Sequence, residues 1–264
     1  MLRTITTKTL RDGRRSMLFW TLGIAALNVL IVLVYPLIET APQFDELLGD
    51  LPDWVVAIIG EGELTSPAGY LNSQLFAALL PILFIAYVGA AGSGAIAGEE
   101  ESHTLDLLLA NPVSRTRVVV EKALAMTIGL AWLGLVSWAS VVLPAMIIDM
   151  DIGAEYVAAV TLSAVLLGYF MGGLALAVGA ATGSRGLSIG IVVLVAVMGY
   201  LLNALAPLVE EIEALQRISP FYYFYANDPL RNGLDAVHVT VLGVGAAIFV
   251  VIAVLGFRRR DVGV

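Results

Sequence analysis

The chain has no cysteine, only two histidines and only two lysines in 264 residues, and 14% of its residues are charged. Without thiols it has no disulfide framework, no thiolate metal site and no cysteine nucleophile. It also has no G-x-x-x-x-G-K-[ST] loop, so it lacks the usual cradle for nucleotide phosphates. Hydrophobic residues make up 59% of the chain, with a mean hydropathy of +0.91. These values exceed the range of soluble domains and place the chain in a membrane.

The apolar residues form six runs: Met17–Ile38, Leu75–Ala97, Val118–Ile148, Tyr156–Thr182, Leu187–Val209 and Val237–Phe257. A helix rising about 1.5 Å per residue needs about 20 residues to cross roughly 30 Å of hydrocarbon, and each run is long enough. The expected fold is therefore an all-α polytopic membrane protein with six transmembrane helices in a single domain over residues 1–264. The first apolar run exceeds a signal core, and Pro42 follows Ala41 where cleavage would fall, so it reads as an uncleaved span.

Basic residues set the orientation, because cytoplasmic loops retain Lys and Arg. Arg3, Lys8, Arg11, Arg14, Arg15, Arg115, Arg117, Lys122, Arg185, Arg258, Arg259 and Arg260 fall on one side of the six-span scheme, and only Arg217 and Arg231 on the other. Both termini and the 98–117 loop are thus expected in the cytoplasm of a cell-membrane protein. The loops 39–74 and 210–236 are expected outside. The first of these carries seven acids and no basic residue. Phe44, Leu47, Leu48, Leu51, Trp54, Val55 and Ile58 recur in it at helical spacing, as in an interfacial helix that anchors or covers an exit. The aromatic run Phe221 to Tyr225 suits the same outer interface.

Ionisable groups inside the runs, the usual mark of ion coupling or intramembrane catalysis, are nearly missing. His103 and His238 lie on opposite sides and cannot share a metal. No catalytic residue, metal or cofactor is expected in this chain. "GSGAIA", Gly92 to Ala97, matches a dinucleotide fingerprint only formally, because it lies inside a span rather than after a strand. Small residues instead repeat every four positions: Ala90, Gly94 and Gly98; Gly168 and Gly172; Ala175, Gly179 and Gly183. Such ladders let helices approach closely in lipid, within the bundle or between subunits.

The 98–117 loop concentrates charge. Glu99, Glu100 and Glu101 would start a short helix with Leu105, Leu108 and Leu109 on one face, Asn111-Pro112 would end it, and Ser114 would cap the third span. The residues alone suit either docking to a partner or anchoring at the lipid surface.

The stretch "AIAGEEESHTLDLLLANPVSRTRVVVEKALA" resembles the signature region of the membrane subunits of type-2 ABC exporters, the ABC-2 permease family. "SPAGYLNSQLFAALLP", "ISPFYYFYANDPLRNGLD" and the closing "FRRRDV" extend the likeness along the chain. It departs at Glu101-Ser102-His103, where a glycine commonly precedes the threonine. The resemblance implies a permease that contacts a separate ATP-binding subunit, on which ATP and Mg are held, and that pairs with a second permease copy or paralogue. It implies an amphipathic helix at the inner membrane surface over residues 1–16, and a coupling role for Glu99, Glu100, Thr104, Leu105, Leu108, Leu109, Pro112 and Arg115. An integral-membrane scaffold or membrane-embedded enzyme docking a soluble partner through 98–117 is the alternative. The lipid bilayer is a partner on either reading, and no nucleic acid is expected.

Overall fold

The computed structural model describes residues 4–40, 52, 55, 65–110, 112–209 and 212–260. Among the described residues there is no strand, and six helices are long and apolar enough to cross a membrane. Helix α1 (Ile5–Asp12) is capped by the Thr4 side chain and joins α2 (Arg14–Glu39) through Gly13. The second span, α3, runs over Pro67–Glu101 and widens into π turns at Asn72–Phe76 and Gly94–Gly98. It starts well before the apolar run does, because Ser66 caps the Gly69 amide and Pro67 sits at the first helical position. After the short α4 (Leu105–Leu109) come α5 (Arg115–Ile147), α6 (Ala154–Thr182) and α7 (Arg185–Leu205). Two short helices, α8 (Pro220–Tyr225) and α9 (Pro229–Asn232), precede α10 (Ala236–Arg259).

Helix α6 is the axis of the bundle and packs against α3, α5, α7 and α10. Two-thirds (67%) of its apolar stretch is buried, against 17% for α2 and 11% for each of α7 and α10. The outlying spans therefore leave broad apolar faces for lipid or another subunit.

Small residues set how closely α6 is approached. A Cβ on Gly92 of α3 would lie 2.7 Å from the Gly172 carbonyl oxygen of α6. One on Gly172 would lie 2.8 Å from Met126 Sδ of α5, and one on Gly168 2.7 Å from Leu130 Cδ2. Gly179 is looser, 3.6 Å from Ala97 Cβ, and the Ala175 carbonyl accepts from Ser188 Oγ at 2.6 Å. The other proposed ladder members do not bring helices together. Gly183 lies beyond the end of α6 at φ 69°, the left-handed C-cap that favours glycine. Gly94 has open space where a Cβ would be, Ala90 is exposed, and Gly98 meets only Arg185 Cδ at 3.8 Å. A period of four thus includes Gly168 and Gly172 but passes over Gly173, where a Cβ would lie 3.1 Å from the Ala246 carbonyl oxygen of α10, and it could not tell which side of α3 faces α6.

Polar ties complete the bundle. Asn28 of α2 donates to Ser137 Oγ (2.9 Å) and Ser140 Oγ (3.0 Å) of α5. Towards the other end, Tyr35 Oη donates to the Thr65 carbonyl and Tyr70 Oη to the Ile31 carbonyl, each at 2.9 Å. The aromatic run 221–225 is less interfacial than expected. Phe221 and Phe224 are buried in the core, while Tyr222 and Tyr223 stack edgewise on His238. The outer surface helix expected over residues 44–58 lies, apart from Pro52 and Val55, outside the described residues.

Candidate coupling interface

The loop following α3 is held to the bundle by its three glutamates. Glu99 pairs with Lys122 of α5, and Glu100 pairs with Arg260 just beyond α10. Glu101 Oε1 accepts from the Arg185 amide at the start of α7 (3.1 Å). Three consecutive carboxylates therefore address three different spans. Lys122 is 8% exposed, so Glu99 supplies the charge partner without which burying an ammonium would cost several kcal/mol.

The turn into α4 is closed by local bonds. The Thr104 amide donates to the Glu99 carbonyl (2.8 Å), and Ser102 Oγ donates to the Gly98 carbonyl (2.9 Å). His103, at the position where the resembling family commonly has glycine, adopts φ 56°. That left-handed conformation is strained for a residue with a Cβ.

The expected apolar face of α4 turns inward. Leu105 is 1% exposed, in a cluster with Ile5, Ile96, Val118, Val119 and Phe257, and Leu108 packs against the same cluster. The reason is that Ile5 of α1 and Phe257 of α10 complete an apolar socket that an isolated reading of the loop does not contain. The Leu109 side chain and Asn111 are outside the described residues. Exposed instead are Ser102, His103, Thr104, Asp106, Ala110 and Pro112. Among the described side chains the exposed strip mixes hydroxyl, imidazole and carboxylate groups with Ala110 and Pro112, and Asp106 forms no ion pair among the described residues.

The socket is closed by two further ties. Arg115 donates to the Phe257 carbonyl (3.0 Å) and to the Arg260 carbonyl, and its guanidinium lies 5.5 Å from the centre of the Phe257 ring. On the opposite flank, Thr6 of α1 donates through its amide to Glu121 Oε2 (3.1 Å) and through its hydroxyl to the Glu121 carbonyl (3.0 Å). Arg117 also pairs with Glu121 at 2.7 Å. The loop residues 99–115 are thereby connected to α1, α5, α7 and α10.

Of the sequence-derived candidates, the structure gathers Glu99, Glu100, Thr104, Leu105, Leu108 and Arg115 in this one assembly, with Pro112 at its exposed edge. Their partners Lys122 and Arg260 were not singled out as a group, nor was the Arg185 amide that meets Glu101. The one available signal was arithmetic: three adjacent acids next to apolar spans need cations, and the closing arginines supply one. Gly183 belongs here too, because a Cβ on it would lie 2.2 Å from Arg260 Nη2.

At the other end of the bundle, burial pushes the Asp228 carboxyl above the ordinary carboxylate range although Arg231 lies 3.6 Å away. Asp235, at the α10 cap, is held below it by the His238 amide that it accepts from.

A family model described as ABC-2 family transporter protein matches residues 3–262. No curated protein matches the chain.

Proposed function

Given that the chain belongs to the ABC-2 family of transporter proteins, we propose that it is the permease subunit of an ATP-driven exporter, coupled through the 98–117 loop to a separate ATP-binding subunit and paired with a second permease. Both termini face the cytoplasm of a cell membrane, on the side that collects twelve of the fourteen basic residues. ATP and Mg are held by the partner, because this chain has no phosphate-cradling loop.

The observation that carries the reading is the radial wiring of the loop. A push on the exposed Ser102–Thr104 turn and Asp106 is passed through Glu99 to α5, through Glu100 to the end of α10 and through Glu101 to α7. A rigid coupling is what a transporter needs if hydrolysis on one chain is to move spans on another. The test is copurification of the tagged chain from its native membrane. A soluble ATPase should accompany it, and the chain alone should bind no labelled ATP. Saturable ATP binding to the isolated chain would overturn the assignment. A tag accessible from the cytoplasm at Glu61, or from outside at Thr116, would overturn the orientation.

A further inference from the structure

Two clefts open beside α2 at the basic end of the bundle. The first, about 620 Å³, lies between α1, α2, α3 and α5, and the second, about 570 Å³, lies between α2 and α3. Ser16 and Trp20 line both, so Trp20 stands between two neighbouring hollows.

The first cleft extends along α5 from Lys122 to Trp132. At about 1.5 Å per residue this is roughly 15 Å, half of the roughly 30 Å hydrocarbon thickness and so the depth of one leaflet. Its volume lies within the range of about 300–1,000 Å³ typical of small-ligand sites. Its lower wall is apolar and aromatic, with Met17, Tyr87 and Met126, and Gly94 leaves it open. The second cleft is kept open in the same way by Gly23, where a Cβ would meet nothing within 4 Å. The rim residues Phe19, Ile128 and Trp132 are exposed.

Charge at the mouth selects the headgroup. Arg14 lines the first cleft and also a small adjoining hollow that it shares with Arg11, Arg15 and one acid, Asp12, and none of the three arginines forms an ion pair among the described residues. Lys122, deeper in, is already engaged by Glu99. The unneutralised cations thus sit where a phosphate would lie if acyl chains filled the clefts.

We propose that the two clefts hold the two acyl chains of an anionic phospholipid straddling Trp20, with its phosphate on Arg14 and Arg15. The assignment of this lipid to the cytoplasmic leaflet rests on the orientation proposed above. The site itself does not, and its test needs no ATP-binding partner, so the two readings fail separately.

The test uses the full chain in phosphatidylcholine vesicles, titrated with brominated-chain phosphatidylglycerol or brominated-chain phosphatidylcholine while tryptophan fluorescence is followed. Phosphatidylglycerol should quench at a roughly thirtyfold lower mole fraction, the worth of two arginines near an anionic lipid. The Arg14→Gln/Arg15→Gln variant should abolish that preference. Gly23→Leu and Gly94→Leu, which meet no atom of the fold at Cβ, should each weaken quenching without loss of helicity. Superimposed curves for the two lipids would overturn the proposal. So would equal affinity for brominated lysophosphatidylglycerol, because one chain would then suffice. If the clefts instead receive a second copy of this chain, the leucine variants will shift dimer to monomer in native mass spectra and the lipid curves will coincide, which also overturns it.

Discussion

Leu105→Ala separates an inward-facing coupling helix from an outward-facing one. The side chain is 1% exposed and packs among residues from α1, α3, α5 and α10. Truncating a buried leucine to alanine costs about 2–5 kcal/mol, depending on how far the cavity collapses. Helix α4 has only five residues and can settle towards the gap, so the lower part of that range, about 2–3 kcal/mol, applies. That corresponds to roughly a 30- to 150-fold rise in the fraction of loops detached from the bundle. Amide hydrogen exchange over residues 98–117 of the purified chain in vesicles, with no partner present, should therefore accelerate by that factor. Asp106→Lys is the companion. Its site is exposed, so stability should stay within about 0.5 kcal/mol of the parent, whereas retention of the ATP-binding subunit should fall. The reasoning is refuted if Leu105→Ala leaves exchange unchanged yet abolishes copurification, because the leucine would then face the partner and not the bundle.

Replacing Glu100 and Arg260 singly and together by Gln should give a coupling of about 1–2 kcal/mol in thermal unfolding, between the values for exposed and for buried pairs, since the two side chains are 29% and 18% exposed. His103→Gly should stabilise the loop by about 1 kcal/mol, read as slower local exchange, by removing the left-handed strain at φ 56°. Gly92→Ala should destabilise by about 1–3 kcal/mol, because the new methyl would meet the Gly172 carbonyl, while Gly94→Ala, with open space, should not. The raised carboxyl of Asp228 means that the folded state holds its proton more tightly than the unfolded chain. Its contribution to stability is therefore lost as pH rises from the ordinary carboxylate range through the raised value, and Asp228→Asn should flatten that slope in melts between mildly acidic and neutral pH.

The six spans were legible because period and length are local properties: a run of about 20 apolar residues has few alternatives in a chain of this composition. The ends were less so. Pro67 opens α3 through a Ser-Pro cap, whereas hydropathy alone placed the start at Leu75. The loop's composition pointed to a helix with leucines on one face, but which way that face turns depends on Ile5 and Phe257, far away in sequence. Likewise the acids at 99–101 advertised a charged site, yet their partners at 122, 185 and 260 could be matched only once the spans were assembled. Spacing rules report what a segment can bury; they do not report what arrives to bury it.

The clasp between Glu100 and Arg260 also sets a schedule for synthesis. Its members are 160 residues apart, and Arg115 reaches the Arg260 carbonyl across 145. At about 5–20 residues per second, roughly 10–30 s pass between the emergence of the loop from the ribosome and that of the arginine that latches it. During that interval the third and fourth spans can insert while Glu100 still lacks its cation and the socket still lacks Phe257. The 98–117 loop therefore cannot be latched before the sixth span has emerged, and a nascent chain stalled before that span would carry it unlatched.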